Sequence, residues 1–212
     1  MSQHRKSTLV RQKVLDFFSD GERETFQKGS IILKPGESAS SVFYLSSGFV
    51  RIVHHHEKND AVTLHMFRPG CFFPLMNVLN ERSNQFTFEA LSAVSVFMQP
   101  KGLVRRFLHT HPDVLLDVAS RLLSGMEGLL LRLSLQSTHT AQEEVSSVLS
   151  YMAESIGVSE PEGVRIPVLL SHKDIASWVG TTRETVSLQI AHLMRMRRIF
   201  YHGRTLFLRE IR

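Results

Sequence analysis

Ser171-His-Lys-Asp-Ile-Ala-Ser-Trp-Val-Gly-Thr-Thr-Arg-Glu-Thr-Val-Ser-Leu-Gln-Ile-Ala-His-Leu-Met-Arg195 holds two helix starts separated by one helix stop. Ser171 is a capping residue with an acid three positions on, and Ile175, Trp178 and Val179 fall on one face of the helix that follows. Gly180 supplies a residue that accepts positive φ and ends that helix. Thr182 then caps a second helix, Arg183 to Arg195, with Val186, Ile190 and Leu193 facing inward. Two helices joined by a tight glycine turn are the scaffold by which many proteins place one helix in the major groove of DNA.

The outer face of the second helix carries the matching chemistry. Arg183, Glu184 and Ser187 project from its first two turns and are predicted to read base edges, an arginine forking onto guanine and a glutamate accepting from cytosine. Ser171, Lys173, Thr182 and Thr185 are predicted to meet phosphates, which position a protein without reading sequence. Ile199 to Leu208 reads as two short strands around His202-Gly203-Arg204, a wing whose tip brings His202 and Arg204 to the backbone. A plain helical corner would explain the helices but not the basic wing.

Upstream of His111-Pro112 the pattern is different. Short β-like runs (Ile31–Leu33, Val42–Leu45, Phe49–Val53, Ala61–Phe67, Phe86–Phe88 and Val94–Met98) alternate with turn signals at Lys28-Gly29, Pro35-Gly36, Ser47-Gly48, Lys58-Asn-Asp60 and Pro69-Gly70. Such a series predicts an antiparallel sandwich, roll or barrel. From Asp113 to Leu135, Leu115, Ala119, Leu122, Met126, Leu129 and Leu133 recur at four-three spacing, and Leu116, Leu123 and Leu130 form a second apolar line. This is read as a helix that pairs with a second copy, and Gly125 and Gly128 are read as allowing the two helices to approach closely. Ala141 to Ile156 is a further helix ending at Gly157, Val158 to Gly163 a loop, and Val164 to Leu170 a strand-like run. The predicted division is 1–110, a sensor domain; 111–137, a dimerisation helix; and 138–212, a DNA-binding domain.

Composition bounds the function. With 212 residues, 42% hydrophobic and 21% charged, the chain has material for two modest globular domains. Lys and Arg exceed Asp and Glu by 25 to 20, a formal +5 that suits an anionic partner. No apolar run is long enough to span a membrane and no signal peptide is read, so a cytoplasmic protein is expected. Cys71 is the single cysteine, which excludes an intrachain disulfide and any cluster held by four cysteines of one chain. His54 and His56 would share a strand face, but the triplet His54-His55-His56 runs into a polar tip without an acidic or cysteine partner. No metal, no cofactor and no enzymatic activity are assigned.

These segments resemble the cyclic-AMP receptor protein/FNR superfamily of bacterial transcription regulators. The resemblance rests on Lys28-Gly-Ser-Ile-Ile-Leu-Lys-Pro-Gly-Glu37, Val42-Phe-Tyr-Leu-Ser-Ser-Gly-Phe-Val-Arg-Ile52, Phe67-Arg-Pro-Gly70, Glu89-Ala-Leu91 and, most specifically, Ile175-Ala-Ser-Trp-Val-Gly-Thr-Thr-Arg-Glu-Thr-Val186. It implies an α+β fold with an N-terminal antiparallel β-roll of the cyclic-nucleotide-binding jelly-roll type, a long dimerisation helix and a C-terminal winged helix-turn-helix. It also implies a homodimer on a near-palindromic stretch of double-stranded DNA, with RNA polymerase and an unidentified small-molecule effector as compatible partners.

The chain departs from the family pattern in three ways. Pro74-Leu75 stands where cyclic-nucleotide binders have Gly-Glu, and Asn84-Gln85 where they have an Arg with Ser or Thr, although Arg82-Ser83 lies two residues away. Without those charges, control by cyclic AMP is not expected. Leu188-Gln189 replaces an Arg and an aliphatic residue on the recognition helix, leaving Gln189 as the substitute base reader. A cluster of the FNR kind lacks its cysteines. Relatives that bind haem through a sensor histidine single out His54 and His65, and Cys71 is a candidate thiol sensor; neither role is assigned. The alternatives to a regulator are a small-molecule-binding module with a degenerate helix-turn-helix and a cupin-like metalloenzyme, and the latter lacks the expected ligand spacing.

Overall fold

The computed structural model describes residues 2–55, 61–135 and 140–209, with the side chains of 2–7 and 131–135 left aside. In chain order the elements are α1 (Ser2–Ser19), β1 (Glu22–Phe26), β2 (Ile31–Leu33), β3 (Ser41–Ser47), β4 (Val50–His55), β5 (Ala61–Phe67), β6 (Phe72–Phe73), α2 (Leu75–Asn80), β7 (Thr87–Ala90), β8 (Val94–Pro100), α3 (Lys101–Thr110), α4 (Pro112–Leu135), α5 (Ala141–Ile156), β9 (Val158–Glu160), β10 (Gly163–Arg165), α6 (His172–Val179), α7 (Arg183–Arg195), β11 (Ile199–His202) and β12 (Thr205–Leu208). The chain forms two compact units, Met1–His54 with His65–Glu127 and His55–Leu64 with Gly128–Arg212.

The β-rich part of the chain is built on two four-stranded sheets, in the orders β1-β8-β3-β6 and β2-β7-β4-β5. The interior is filled from both strands: β4 buries Val50, Ile52 and Val53, and β7 buries Thr87, Phe88 and Ala90. The interior is aromatic. Phe73 lies 5.5 Å from Phe43, 5.1 Å from Phe67 and 5.4 Å from Phe88, ring centre to ring centre, and every pair is stacked. A second cluster joins the helices to β3: Val10, Val14 and Phe18 of α1, Leu75 and Val78 of α2, Val104, Phe107 and Leu108 of α3, and Val114 and Val118 of α4 surround Val42 and Tyr44. Burial raises the Tyr44 phenol above its ordinary value. Lys13 Nζ, 2.5 Å from Asp113 Oδ2, links α1 to the first turn of α4.

Five elements of this unit are absent from the sequence reading: α1, β1, β6, α2 and α3. The strand expectations for Ile31–Leu33 and Ala61–Phe67 coincide with β2 and β5, and the remaining strands match to within a few residues. The Lys58-Asn-Asp60 turn and His56 lie outside the described residues.

In the second unit, α5, α6 and α7 pack with the sheet β11-β12-β10-β9. Thr140 caps α5 through a reciprocal pair with Glu143, and Val145, Val148, Leu149 and Met152 form its buried face. The reading of Val158 to Gly163 as a loop is corrected: β9 and β10 pair antiparallel, with Ser159 opposite Val164. Local turn signals masked a hairpin whose other edge is secured by β12. The strand-like run from Val164 ends at Arg165; Ile166 and Val168 are buried in irregular chain.

Both α4 glycines have neighbours within their own chain. A Cβ at Gly125 would lie 3.8 Å from His65 Cε1, and a Cβ at Gly128 would lie 3.0 Å from Tyr151 Cε2. Each therefore faces a ring of its own chain. The same-chain face of α4 runs through Val114, Val118 and Gly125, one step around the helix from the leucine seam.

Candidate nucleic-acid interface

Helix α6 begins at a capping box. Ser171 Oγ accepts from Asp174 N at 3.1 Å, and the Asp174 carboxylate takes the Ser171 N–H at 2.9 Å and its hydroxyl at 2.7 Å. Ile175, Trp178 and Val179 are buried as the spacing predicts, and Gly180 closes the helix at φ +81°. That left-handed residue lets the chain reverse within two residues and start α7 at Thr182, whose Oγ1 accepts from Thr185 N at 3.1 Å. Val186, Ile190 and Leu193 are buried beneath α7. Burial of that face leaves the opposite one outward, with Arg183 and Glu184 exposed side by side in the first turn.

The other predicted readers are less open. Ser187 is half-buried; its Oγ donates to the Arg183 carbonyl at 2.9 Å and lies 2.7 Å from His172 Nδ1. Gln189 is half-buried, whereas Leu188 is 69% exposed, the most open apolar side chain on the helix. Among the predicted phosphate groups, Lys173 is exposed and has no backbone duty to perform. Ser171 and Thr182 carry out capping, and Thr185 Oγ1 is 3.0 Å from Thr182 Oγ1. His202 and Arg204 are exposed at the tip of the β11–β12 hairpin, where Gly203 takes φ +60°. Tyr201 on β11 is half-buried, and that burial raises its phenol above the ordinary value.

Sequence reading missed His172. Its link to Ser187 joins residues fifteen apart in sequence, and no local pattern announces a contact that exists only after the turn at Gly180 is made. It also passed over exposed Arg195, Arg197 and Arg198 at the far end of α7. Those extend the cationic surface beyond the recognition turn.

The two positions at which the sequence departs from the family pattern, Leu75 and Asn84, have structural duties. Leu75 is 7% exposed and packs with the α1 and α3 residues. Asn84 is fully buried; its Nδ2 donates to the Lys34 carbonyl at 2.8 Å and to that of Phe86, and its Oδ1 accepts from Phe86 N at 3.1 Å. Both therefore serve the roll's own framework. Arg82 is exposed. His54 and His65 sit edge-on to Phe86 and Phe67, and Cys71 is half-buried with a free thiol. Among the described residues no cluster of three His, Cys, Asp or Glu side chains could hold a metal, and no helix is long and apolar enough to cross a membrane.

On α4, Leu115, Ala119, Leu122, Met126 and Leu129 of the predicted seam are all exposed; the Leu133 side chain lies outside the described residues. The neighbouring line is more open still, with Leu116 at 71% and Leu123 and Leu130 at 57%.

Residues 23–111 match the family described as the cyclic nucleotide-binding domain, and residues 118–211 match the Crp-like helix-turn-helix domain. The chain is 29% identical over 176 residues to the global nitrogen regulator of Synechocystis sp., covering 80% of this chain and 76% of that protein. It is 27% identical to the transcriptional regulator SdrP of Thermus thermophilus, over 82% of this chain and 83% of the relative. The solved structure of FixK2 from Bradyrhizobium japonicum superposes with a TM-score of 0.76 at 20% identity, covering 89% of this chain and 92% of that one.

Proposed function

The chain belongs to the cyclic-AMP receptor protein/FNR superfamily of transcriptional regulators, and on that premise we propose that it binds a near-palindromic operator as a homodimer and is not controlled by cyclic AMP. It is a DNA-binding regulator, and the relatives favour this over a binding module with a degenerate helix-turn-helix. The observation that carries the proposal is the exposure of Arg183 and Glu184 together on the first turn of a capped helix whose opposite face is buried. In this reading Arg183, Glu184, Ser187 and Gln189 face bases. Lys173, Ser171, Thr182, Thr185, His202 and Arg204 face phosphates, and Leu188 suits a thymine methyl.

The long helix pairs through Leu115, Ala119, Leu122, Met126, Leu129 and Leu133. Two recognition helices must stand about 34 Å apart to enter successive major grooves, so a signal that repacks the paired helices resets affinity. The proposed parts are 1–110 for sensing, 111–137 for pairing and 138–212 for DNA. Absence of cyclic-AMP control follows from Leu75 and Asn84, which supply no charge to a ribose or phosphate and are committed to packing and internal hydrogen bonds. The proposed setting is cytoplasmic, the work is binding rather than catalysis, and RNA polymerase and a small-molecule effector are further partners consistent with it.

The test is a mobility shift on the gene's own upstream region against unrelated duplexes, with and without cyclic AMP. Selective binding indifferent to the nucleotide is expected. Arg183→Ala should lose about 1–3 kcal/mol of discrimination at one base pair while the dependence on salt stays nearly unchanged. Equal, weak binding to every duplex would overturn the proposal.

A further inference from the structure

His172 opens α6, and Ser187 stands in the second turn of α7. Their side chains meet at 2.7 Å, Nδ1 to Oγ, while the same hydroxyl is 2.9 Å from the Arg183 carbonyl. A serine hydroxyl has one hydrogen and two lone pairs. The carbonyl can only accept, so the hydrogen is committed to it. The contact with His172 is then satisfied when Nδ1 carries a proton, with the imidazole donating and Oγ accepting. One lone pair on Oγ is left for a duplex, and it is an acceptor.

We propose that His172 is a positioning residue for sequence reading, holding Ser187 as a hydrogen-bond acceptor so that the base it faces on the contacted strand must offer an amino group. In the major groove such donors are cytosine N4 and adenine N6, whereas guanine O6 and N7 and thymine O4 are acceptors. The inference rests on the reading of α7 as the groove-entering helix. A serine inside a helix commonly bonds back to the carbonyl four residues earlier, an arrangement its hydroxyl leaves easily. The imidazole adds a second anchor from another helix, across the glycine turn, and fixes where Oγ points. His172 thus acts on specificity without itself reading a base.

The test uses the full-length protein and a set of duplexes in which each base pair of the operator half-site is varied in turn at fixed salt. Wild type should prefer cytosine or adenine at one position by roughly ten- to a hundredfold. His172→Ala and Ser187→Ala should each lose that preference at the same position, and the double variant should lose no more than either alone. His172→Asn, whose amide nitrogen is a donor at the δ position, should restore it. His172→Phe keeps ring volume without a donor and should behave like the alanine variant even if the latter is poorly folded. If substitution of His172 weakens every duplex by the same factor and flattens the salt dependence, the residue is a phosphate contact and the inference fails. Unchanged preference in His172→Phe also overturns it. A wild type without preference at any base pair defeats the regulator proposal itself, a separate outcome.

Discussion

The interior of the β-roll and the outer face of α4 are both apolar, yet only one of them is closed by its own chain. Phe73 has no exposed surface and touches three other rings, while Leu123 and Leu130 leave more than half of theirs to solvent. Polar groups divide the same way. Asn84, fully buried, turns inward to the Lys34 and Phe86 carbonyls; Arg183 and Glu184 turn outward. The contrast teaches that burial separates what this chain uses to stand from what it offers to a partner. Family resemblance by itself does not make that separation, since both regions fall within matched segments.

The largest effect that would sharpen the contrast is at Phe73. Phe73→Ala removes a fully buried ring from the stack and should cost about 3–5 kcal/mol, read as a lowered midpoint in urea. The fraction that stays folded should keep the wild-type operator preference, because nothing in α6 or α7 has changed. An altered preference would mean that the roll's interior contributes to reading. Leu123→Glu is the converse. The side chain has few contacts to lose within its own chain, so the stability of the isolated protomer should move within about 0.5 kcal/mol. Sedimentation should instead show a dimer falling to monomer, and the dependence of thermal unfolding on protein concentration should vanish. A dimer that survives both Leu123→Glu and Leu130→Glu would place the pairing surface elsewhere.

These two regions also differ in how far the sequence discloses them. Helix α7 was legible to the residue, Arg183 to Arg195, because Thr182 marks its start and three buried residues mark its face. Helices α2 and α3 were not. They start after Pro74 and Pro100, neither of which makes a side-chain cap bond. β1 has no alternation to detect: it is nearly all exposed and is held by its ladder to β8. α1 did carry a signal, Val10, Val14 and Phe18 at four-residue spacing, but what they pack against is assembled from residues as remote in sequence as Val114 and Val118. At the candidate site, Arg183 and Glu184 were legible as outward groups. The commitments of Ser187, Asn84, Gly125 and Gly128 were not, because each depends on a partner remote in sequence. Local chemistry reveals caps and faces; it does not reveal which outward group has already been claimed.

The smallest expected effect lies where α1 meets α4. The hydrogen bond from Lys13 holds the Asp113 carboxyl below the ordinary carboxylate value, aided by the attraction between the two charges. Asp113 also sits in the first turn of α4, where a negative charge suits the helix dipole. Because the folded value lies below that of the unfolded chain, the contribution is complete above about pH 4, the unfolded range, and is lost as pH falls through the folded value. Both side chains are nearly half exposed, so solvent and salt screen the pair. Asp113→Asn should therefore leave the protein slightly less stable than wild type at pH 7, and the gap should close as the solution is taken towards pH 3, measured as paired urea midpoints. Added salt at pH 7 should narrow it in the same direction. A gap that persists unchanged in acid and in salt would locate the stabilisation in the packing of α1 on α4, through Val10 and Val14 against Val114 and Val118, rather than in the charge.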